Sequence, residues 1–193
     1  MQHAIRFVLA LVLSVTVFAS AAARAADTYA IDPVHSMVLF KIKHLNVSYV
    51  WGRFNGPTGT FMIDDADPEK SSLAVEVKSE NVDTYNEQRD QHLKGPDFFN
   101  AKQIPTITFK SKSIKKLDPT NCDVTGDLTL LGVTKELTVK LTRVGTGTDP
   151  KGGIHAGFEG SFKILRSDYG MKQMLNMVGD EVLLTFAFEA VKK

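Results

Sequence analysis

The sequence predicts an all-β protein, an antiparallel eight-stranded β-barrel with a short helical lid segment. Two observations predict this fold. Apolar and polar residues alternate with a period of two through most of the chain after residue 26, and turn-rich stretches at 64–68, 118–121 and 145–153 separate the alternating runs. A sheet this long with one apolar face is expected to close on itself, because open edges and an uncovered apolar face are both unfavourable.

Each alternating run places one set of side chains on the inner face of the predicted barrel. Seven runs carry the following inward sets: Val34, Ser36, Val38, Phe40 and Ile42; Leu73, Val75 and Val77; Ile107, Phe109, Ser111 and Ser113; Val124, Gly126, Leu128 and Leu130; Leu137, Val139 and Leu141; Ile154, Ala156, Phe158, Gly160, Phe162 and Ile164; Val182, Leu184, Phe186 and Phe188. A further strand over 54–63 brings the number to about eight, the size of a small barrel.

One stretch breaks the alternation. The sequence of residues 84–87 is typical of a capping box, and the polar residues 86–94 favour a short helix. The adjacent aromatics Phe98 and Phe99 follow, before Ile104 and Pro105. Two adjacent side chains of a strand point to opposite faces, so we expect this segment to fold over a barrel opening as a lid.

The N-terminal segment is expected to be a cleaved signal peptide over residues 1–25. An apolar run from Phe7 to Ala21 follows Arg6, and 23–25 (Ala-Arg-Ala) supplies the small residues that a signal peptidase requires. The alternative is an uncleaved anchor, although the run is shorter than the roughly 20 residues that span a bilayer. The mature domain, 26–193, is therefore expected to be exported, with no stable membrane insertion.

The charge balance argues against a nucleic-acid partner. The chain has 23 basic and 22 acidic residues, and removal of Arg6 and Arg24 leaves a mature domain with 21 basic side chains and a net charge of −1. Binding to a phosphate backbone needs a surplus of Lys and Arg on one face.

Cys122 is the single cysteine, so no internal disulfide is possible; it is either a reactive thiol or a partly buried bystander.

Several motifs resemble the YceI family. They are 29–36 (YAIDPVHS), 40–45 (FKIKHL), 89–94 (RDQHLK), 97–100 (DFFN), 105–109 (PTITF), 126–129 (GDLT), 131–135 (LGVTK) and 166–170 (RSDYG). They follow the family's order and span nearly the whole mature chain. Asn100 is one departure, since relatives often carry Asp there.

The resemblance implies a lipocalin-like barrel that binds polyisoprenoid or similar long-chain amphiphilic lipids in the bacterial periplasm. It also implies a homodimer and no established catalytic chemistry, so we expect a carrier and not an enzyme. No cofactor is required; a bound isoprenoid lipid, such as an isoprenoid quinone or a polyprenyl phosphate, is the expected ligand. The partner in a membrane, if there is one, is not indicated.

Residue size supports a ligand inside the barrel. Small inward residues such as Gly126 and Gly160 are expected to leave space between the large ones, and each buried CH₂ of a tail contributes roughly 0.8 kcal/mol. The residues predicted to line the apolar interior and the lid are Phe40, Phe98, Phe99, Phe109, Leu128, Phe158, Phe162, Phe186, Met171 and Met174. Ordinary core packing is an equally compatible interpretation for any single Phe. For the Met residues, core filling under a short helical turn is the more usual explanation.

Four side chains are predicted to meet the lipid headgroup at the mouth: His44, Arg89, His92 and Arg166. Guanidinium groups donate in a fork, and imidazole donates or accepts. The alternatives are ion pairs of Arg89 with Asp90 and of Arg166 with Asp168, and for His44 a hydrogen bond within a loop.

Other functions are weaker interpretations. A hydrolase would need His35 to activate Ser36, or Ser167 and Asp168 to act with a distant His, but neighbours in a strand point to opposite faces. No metal site is expected, because His35, His44, His92 and His155 lie on separate elements without ligand-like spacing. A protein-interaction or stress-response module with an incidental apolar cavity is the alternative from another class.

Overall fold

The computed structural model describes residues 26–193, so the predicted signal peptide at 1–25 lies outside the described residues. In the described part, the strands are β1 (Asp27–Ile31), β2 (Met37–His44), β3 (Ser48–Asn55), β4 (Thr58–Ile63), β5 (Ser72–Lys78), β6 (Val82–Asp83), β7 (Thr106–Lys116), β8 (Asn121–Leu130), β9 (Val133–Thr148), β10 (Ile154–Leu165) and β11 (Val178–Lys192), and the α-helix is α1 (Glu87–Lys94). None of the helices in this range is long and apolar enough to cross a membrane.

The eleven strands occupy eight positions around a closed antiparallel barrel. Strands β1 and β2 both pair with β11, β4 pairs with β1 and β5, and β3 pairs with β2 and β6. Each of the pairs β1/β2, β3/β4 and β5/β6 therefore forms one interrupted position, and β7 to β11 complete the ring. The predicted all-β, eight-stranded antiparallel barrel with a short helix is confirmed.

Local sequence explains two of the interruptions. Gly56 has φ of 63° and precedes Pro57, which has no N–H to donate, so β3 ends and β4 begins there. Between β1 and β2, the Asp32 carboxylate accepts the N–H of Val34 across Pro33 and forms a turn. Val34, predicted to face inward, is instead 81% exposed in this turn.

The other predicted inward sets largely face the interior. Two residues differ. The register of β7 against β8 shifts between Ser111 and Ser113, so Ile114 is buried and Ser113 is exposed. Ile154, the first residue of β10, is 41% exposed because it begins the strand at the barrel's rim.

The helix forms where the polar stretch predicted it, but its N-cap is Asn86, whose side chain accepts the N–H of Arg89. Thr84, the first residue of the predicted capping box, is buried and donates its hydroxyl to Asp90. We call residues 84–105 the lid. Its C-terminal end is fixed to the barrel by Ser79, which donates its hydroxyl to the carbonyl of Ile104.

Candidate functional site: an apolar channel beneath the lid

A cavity of about 290 Å³ lies between the lid and one end of the barrel. We call it the mouth cavity. The lid contributes Leu93, Phe98 and Phe99, and the barrel wall contributes Phe40 and Val182 among others. Arg89 and His92 also line it and are exposed, so the cavity meets solvent beside α1.

A second cavity of about 90 Å³ lies deeper in the barrel. We call it the inner cavity; Thr108 is the one polar residue among those that line it. It shares Phe54, Ile107, Leu128 and Leu184 with the wall of the mouth cavity, so the two are neighbours separated by these side chains. We call the two adjoining cavities together the apolar channel, which these four side chains interrupt.

Aromatic side chains close the deep end of the channel. Phe61 lines the inner cavity and stacks on Phe158, with ring centroids 4.6 Å apart and planes 7° from parallel. Phe188 meets Phe61 edge-on at 6.2 Å. These rings separate the inner cavity from a third cavity of about 110 Å³, whose lining includes the polar groups of Asp64, Thr120 and Asn121 among others.

The structure brings the predicted apolar residues to this interior. Those that line the mouth cavity are Phe40, Phe98, Phe99, Leu128, Met171 and Met174, and those that line the inner cavity are Phe109, Leu128, Phe162 and Phe186. Phe158 lines the third cavity, behind the aromatic stack. Other lining residues were not predicted individually as ligand contacts. They include Val38, Val50, Leu93, Ile107 and Leu184, and only strand alternation or a place in the lid indicated them.

The two adjacent aromatics of the lid have different partners: Phe98 packs within the lid, and Phe99 contacts the barrel. Phe98 is 6% exposed and lies edge-on to the ring of His92 at 4.9 Å. Phe99 turns toward the barrel and meets Phe54 edge-on at 5.2 Å. Asn100, with φ of 46°, donates its N–H to the carbonyl of Gly95 and reverses the chain after them.

Three glycines on the inner face each receive an aromatic ring. A Cβ on Gly126 would lie 2.6 Å from Cζ of Phe109, and one on Gly160 would lie 2.5 Å from Cζ of Phe186. Phe40 covers Gly52 in the same way. Each ring therefore lies against the barrel wall, over a glycine of the neighbouring strand. Gly52 was missed at the sequence level, although a glycine inside a strand is a known sign of close approach.

All four predicted headgroup residues line the mouth cavity. They differ in the hydrogen bonds that their polar atoms make. Arg89 donates from Nε to the hydroxyl and from Nη2 to the carbonyl of Thr84, both at 2.7 Å. Its Nη1 has no hydrogen-bond partner among residues 26–193. Nε2 of His92 lies 3.8 Å from Asp97 Oδ2. Arg89 is therefore fixed in position with donors remaining at the mouth.

Arg166 is the most deeply buried of the four, at 2% exposed. Its guanidinium donates to the carbonyls of Gly179, Met171, Gln173 and Val178 at 2.8–3.0 Å. Burial lowers the pKa of this guanidinium from its ordinary value. Four of its five N–H groups thus hold the 171–179 loop, which forms one wall of the mouth cavity.

The turn that carries Arg166 is itself fixed by Asp180. The N–H and hydroxyl of Ser167 donate to its two carboxylate oxygens at 2.8 and 2.7 Å. These hydrogen bonds hold the pKa of Asp180 below its usual range. Asp168 instead lies 3.4 Å from Nζ of Lys135, so it does not pair with Arg166.

The residues considered for a nucleophile are engaged elsewhere. The Ser36 hydroxyl donates to the carbonyl of Glu189 at 3.2 Å, while His35 faces Asp32. Ser167 donates to Asp180. Cys122 is half-buried at the third cavity, and burial raises the pKa of its thiol, which disfavours the reactive thiolate.

The chain is similar to known proteins in both sequence and fold. The profile of the YceI-like domain matches residues 29–190. Protein YceI of Escherichia coli O157:H7 is 40% identical, over 96% of this chain and 97% of that protein. The crystal structure of BcnA from Burkholderia cenocepacia is 25% identical and superposes with a TM-score of 0.74, covering 82% of this chain and 98% of BcnA.

A more distant solved structure has the same fold. It is a polyisoprenoid binding domain from Saccharophagus degradans, 16% identical, with a TM-score of 0.66, covering 86% of this chain and 98% of that domain. The match of the domain profile over most of the chain and the 40% identity to the E. coli protein agree with the barrel and its motifs. The chain belongs to the YceI-like domain family.

Proposed function

We propose that this protein binds and carries one long-chain isoprenoid or similar amphiphilic lipid, with its tail in the apolar channel and its headgroup beside α1. The observation that carries the proposal is the channel itself: about 290 Å³ beneath the lid, leading to an inner cavity whose lining is apolar except for Thr108. Empty apolar space beside a polar opening suits a molecule with a long tail and a small polar end.

Burial of the tail supplies the affinity in this proposal. Each CH₂ removed from water contributes roughly 0.8 kcal/mol, so two isoprene units outweigh the usual contribution of a single hydrogen bond. The stack of Phe61 on Phe158 closes the deep end and would limit tail length. A longer tail would require displacement of Phe54 or Leu184 between the two cavities.

The mouth suits an anionic or carbonyl-bearing headgroup. Arg89 is braced by Thr84 and has Nη1 available, and His92 lies one helical turn further along α1. A polyprenyl phosphate or an isoprenoid quinone offers acceptors to such donors. The polyisoprenoid binding domain of Saccharophagus degradans, which shares the fold, supports this class of ligand. The proposal includes no catalytic step.

Native mass spectrometry tests the proposal. The protein is purified without detergent or added lipid, and its intact mass is compared before and after organic extraction. We expect an adduct that extracts as a prenyl quinone or a polyprenyl phosphate. A ligand-free mass that stays unchanged after incubation with both lipids would overturn the carrier function and favour the interaction module.

Export and dimerisation belong to the same proposal. A periplasmic location follows from the signal peptide predicted at 1–25, and cell fractionation with N-terminal sequencing would detect cleavage before Ala26. The homodimer is checked by light scattering on the same preparation. A cytoplasmic, uncleaved protein would contradict the proposed location without affecting the lipid measurement.

A further inference from the structure

A second cluster of polar side chains lies on the outer face of the barrel, where β1 gives way to β2 beside β11. It consists of Asp32, His35 and Glu189, with His155 of β10 next to Glu189. None of the four lines any of the three cavities described above. The proposed lipid site therefore makes no use of them.

The backbone of the cluster is fixed by direct hydrogen bonds. The N–H of Asp32 donates to the carbonyl of Glu189 at 2.8 Å. The Ser36 hydroxyl donates to the same carbonyl at 3.2 Å and accepts the N–H of Glu189 at 3.0 Å. The backbone of the 32–36 turn is thus held against one residue of β11, so the three side chains start from fixed backbone positions beside one another.

The carboxylates are also oriented. In Asp32, Oδ1 accepts the N–H of Val34 at 2.8 Å, which leaves Oδ2 facing Nδ1 of His35 at 2.7 Å. In Glu189, Oε1 contacts Nδ1 of His155 at 2.7 Å, and Nε2 of that ring contacts Asp149 at 3.1 Å. Asp149 thus holds the His155 ring, and His155 in turn orients the Glu189 carboxylate. Residues that contact metal ligands from outside the metal site commonly orient them in this way.

The distances suit a small cation. One ligand atom from each of Asp32, His35 and Glu189 lies within 4.8 Å of the others. Ligands at about 2.0–2.1 Å from a tetrahedral ion are roughly 3.3 Å apart, so a closure of about 1.5 Å or less is needed. His35 is exposed and Glu189 half-buried, so rotation of their side chains can supply it.

We propose that Asp32, His35 and Glu189 form a site for a divalent transition-metal ion of the zinc class, with His155 positioning Glu189. An imidazole with two carboxylates favours Zn²⁺ over Ca²⁺ or Mg²⁺, which prefer oxygen ligands alone. Two carboxylates balance the charge of the ion, and three protein ligands leave a position for water. The ion would join the β1–β2 turn to β11.

Spacing along the chain gave no sign of this site. His35 and His155 are separated by most of the barrel in sequence, and closure of the barrel brings both beside Glu189. The expectation of no metal site rested on the spacing of the four histidines along the chain, which does not report residues that neighbouring strands bring together.

Titration calorimetry with ZnCl₂ alone tests the proposal on chelator-treated protein. We expect one Zn²⁺ per chain and a rise in Tm of about 5–10 °C when free Zn²⁺ is at one hundred times its Kd. His35→Gln and Glu189→Gln are each expected to weaken zinc binding at least ten-fold, and His155→Gln to weaken it less. Co²⁺ in place of Zn²⁺ should give visible absorption bands that His35→Gln alters.

The matched control is His92→Gln, which changes the other histidine–acid pair, on the lid. It should leave zinc affinity unchanged. Zinc binding that survives both His35→Gln and Glu189→Gln, or Ca²⁺ binding as tight as Zn²⁺, would overturn the proposal. Should Glu189→Gln fail to fold, His35→Gln decides alone, because His35 is exposed.

Discussion

The ring of Phe40 lies over the α-carbon of Gly52, the residue directly opposite it in the pairing of β2 with β3. A Cβ on Gly52 would overlap Cζ of Phe40 and lie 2.6 Å from Cε1 and 2.8 Å from Cγ2 of Thr84. Gly52 therefore permits the ring to lie along the wall of the mouth cavity. The volume of that cavity therefore depends on the absence of a side chain at Gly52, against which the Phe40 ring lies.

Substitution Gly52→Ala should push the Phe40 ring into the mouth cavity. If the ring displaces two methylene groups of a tail, the loss is about 1.6 kcal/mol, or roughly a fifteen-fold higher Kd for a long prenyl lipid. Overpacking should also lower the free energy of unfolding by about 1–3 kcal/mol. Lipid titration followed by fluorescence and urea denaturation measure the two effects.

Gly145→Ala is the matched control, since nothing lies within 4 Å of a Cβ at Gly145. It should change neither lipid affinity nor stability appreciably. Equal affinities for wild type and Gly52→Ala would show that the tail does not pass Phe40.

The lid aromatic Phe99 is expected to control how fast the lipid leaves. Its edge-on contact with Phe54 is one of the interactions that keep the lid on the barrel. Phe99→Ala removes this contact and the burial of the ring, so the off-rate should rise about ten-fold while the on-rate changes less. Chase of a fluorescent prenyl analogue by unlabelled lipid measures it.

Tyr85→Ala provides the comparison within the same lid. Tyr85 is 79% exposed, and the guanidinium of Arg53 lies 5.1 Å from the centroid of its ring. Its removal should leave the off-rate close to that of wild type. An off-rate that responds equally to both substitutions would mean that the lid opens as a loose segment without a specific aromatic contact.

Much of the barrel could be predicted from sequence because strand alternation depends on near neighbours. In β8, Val124, Gly126, Leu128 and Leu130 all face inward as the period-two pattern indicates. The pattern failed at Val34, which lies in the turn between β1 and β2, and at Ser113, where a bulge shifts the register of β7 by one residue. The alternation of apolar and polar residues records neither the Asp32–Pro33 turn nor the bulge in β7.

The geometry of the candidate site could be predicted less well than the strands. Composition gave the size of Phe40 and Phe186, but not that each ring would lie over a glycine on the neighbouring strand. It likewise gave the charge of Arg166, but not that its donors would be used by carbonyls of the 171–179 loop. Ring direction and donor use are set by residues far apart along the chain.

Replacement of Arg166 by Lys should destabilise the protein. A single ammonium has three donors at one point and cannot reach four carbonyls spread over the 171–179 loop, so buried acceptors would lose their partners. Arg166→Lys should lower the free energy of unfolding by about 3 kcal/mol and expose that loop to hydrogen exchange. Arg143→Lys, at a half-exposed pair with Asp65, should cost less than about 1 kcal/mol.

Asp118 should make stability depend on pH at the acid end. Its carboxylate accepts the N–H groups of Thr120 and Asn121 and the amide of Asn121, which lowers its pKa to about 2. Because the folded pKa lies below the unfolded value, this stabilisation is present above about pH 4 and is lost as the pH falls toward 2. The Tm advantage of wild type over Asp118→Asn should shrink across that window; an advantage independent of pH would contradict it.

The headgroup is best identified through Arg89. If the lipid is a polyprenyl phosphate, Arg89→Gln removes a charge-assisted donor at the mouth, and affinity should fall ten-fold or more, since such bonds contribute roughly 1.5–3 kcal/mol. A neutral quinone of the same tail should lose much less. Lys94→Gln, on the same helix but not among the lining residues, controls for net charge. Equal losses for both lipids would place Arg89 in support of the lid, through Thr84, instead of at the headgroup.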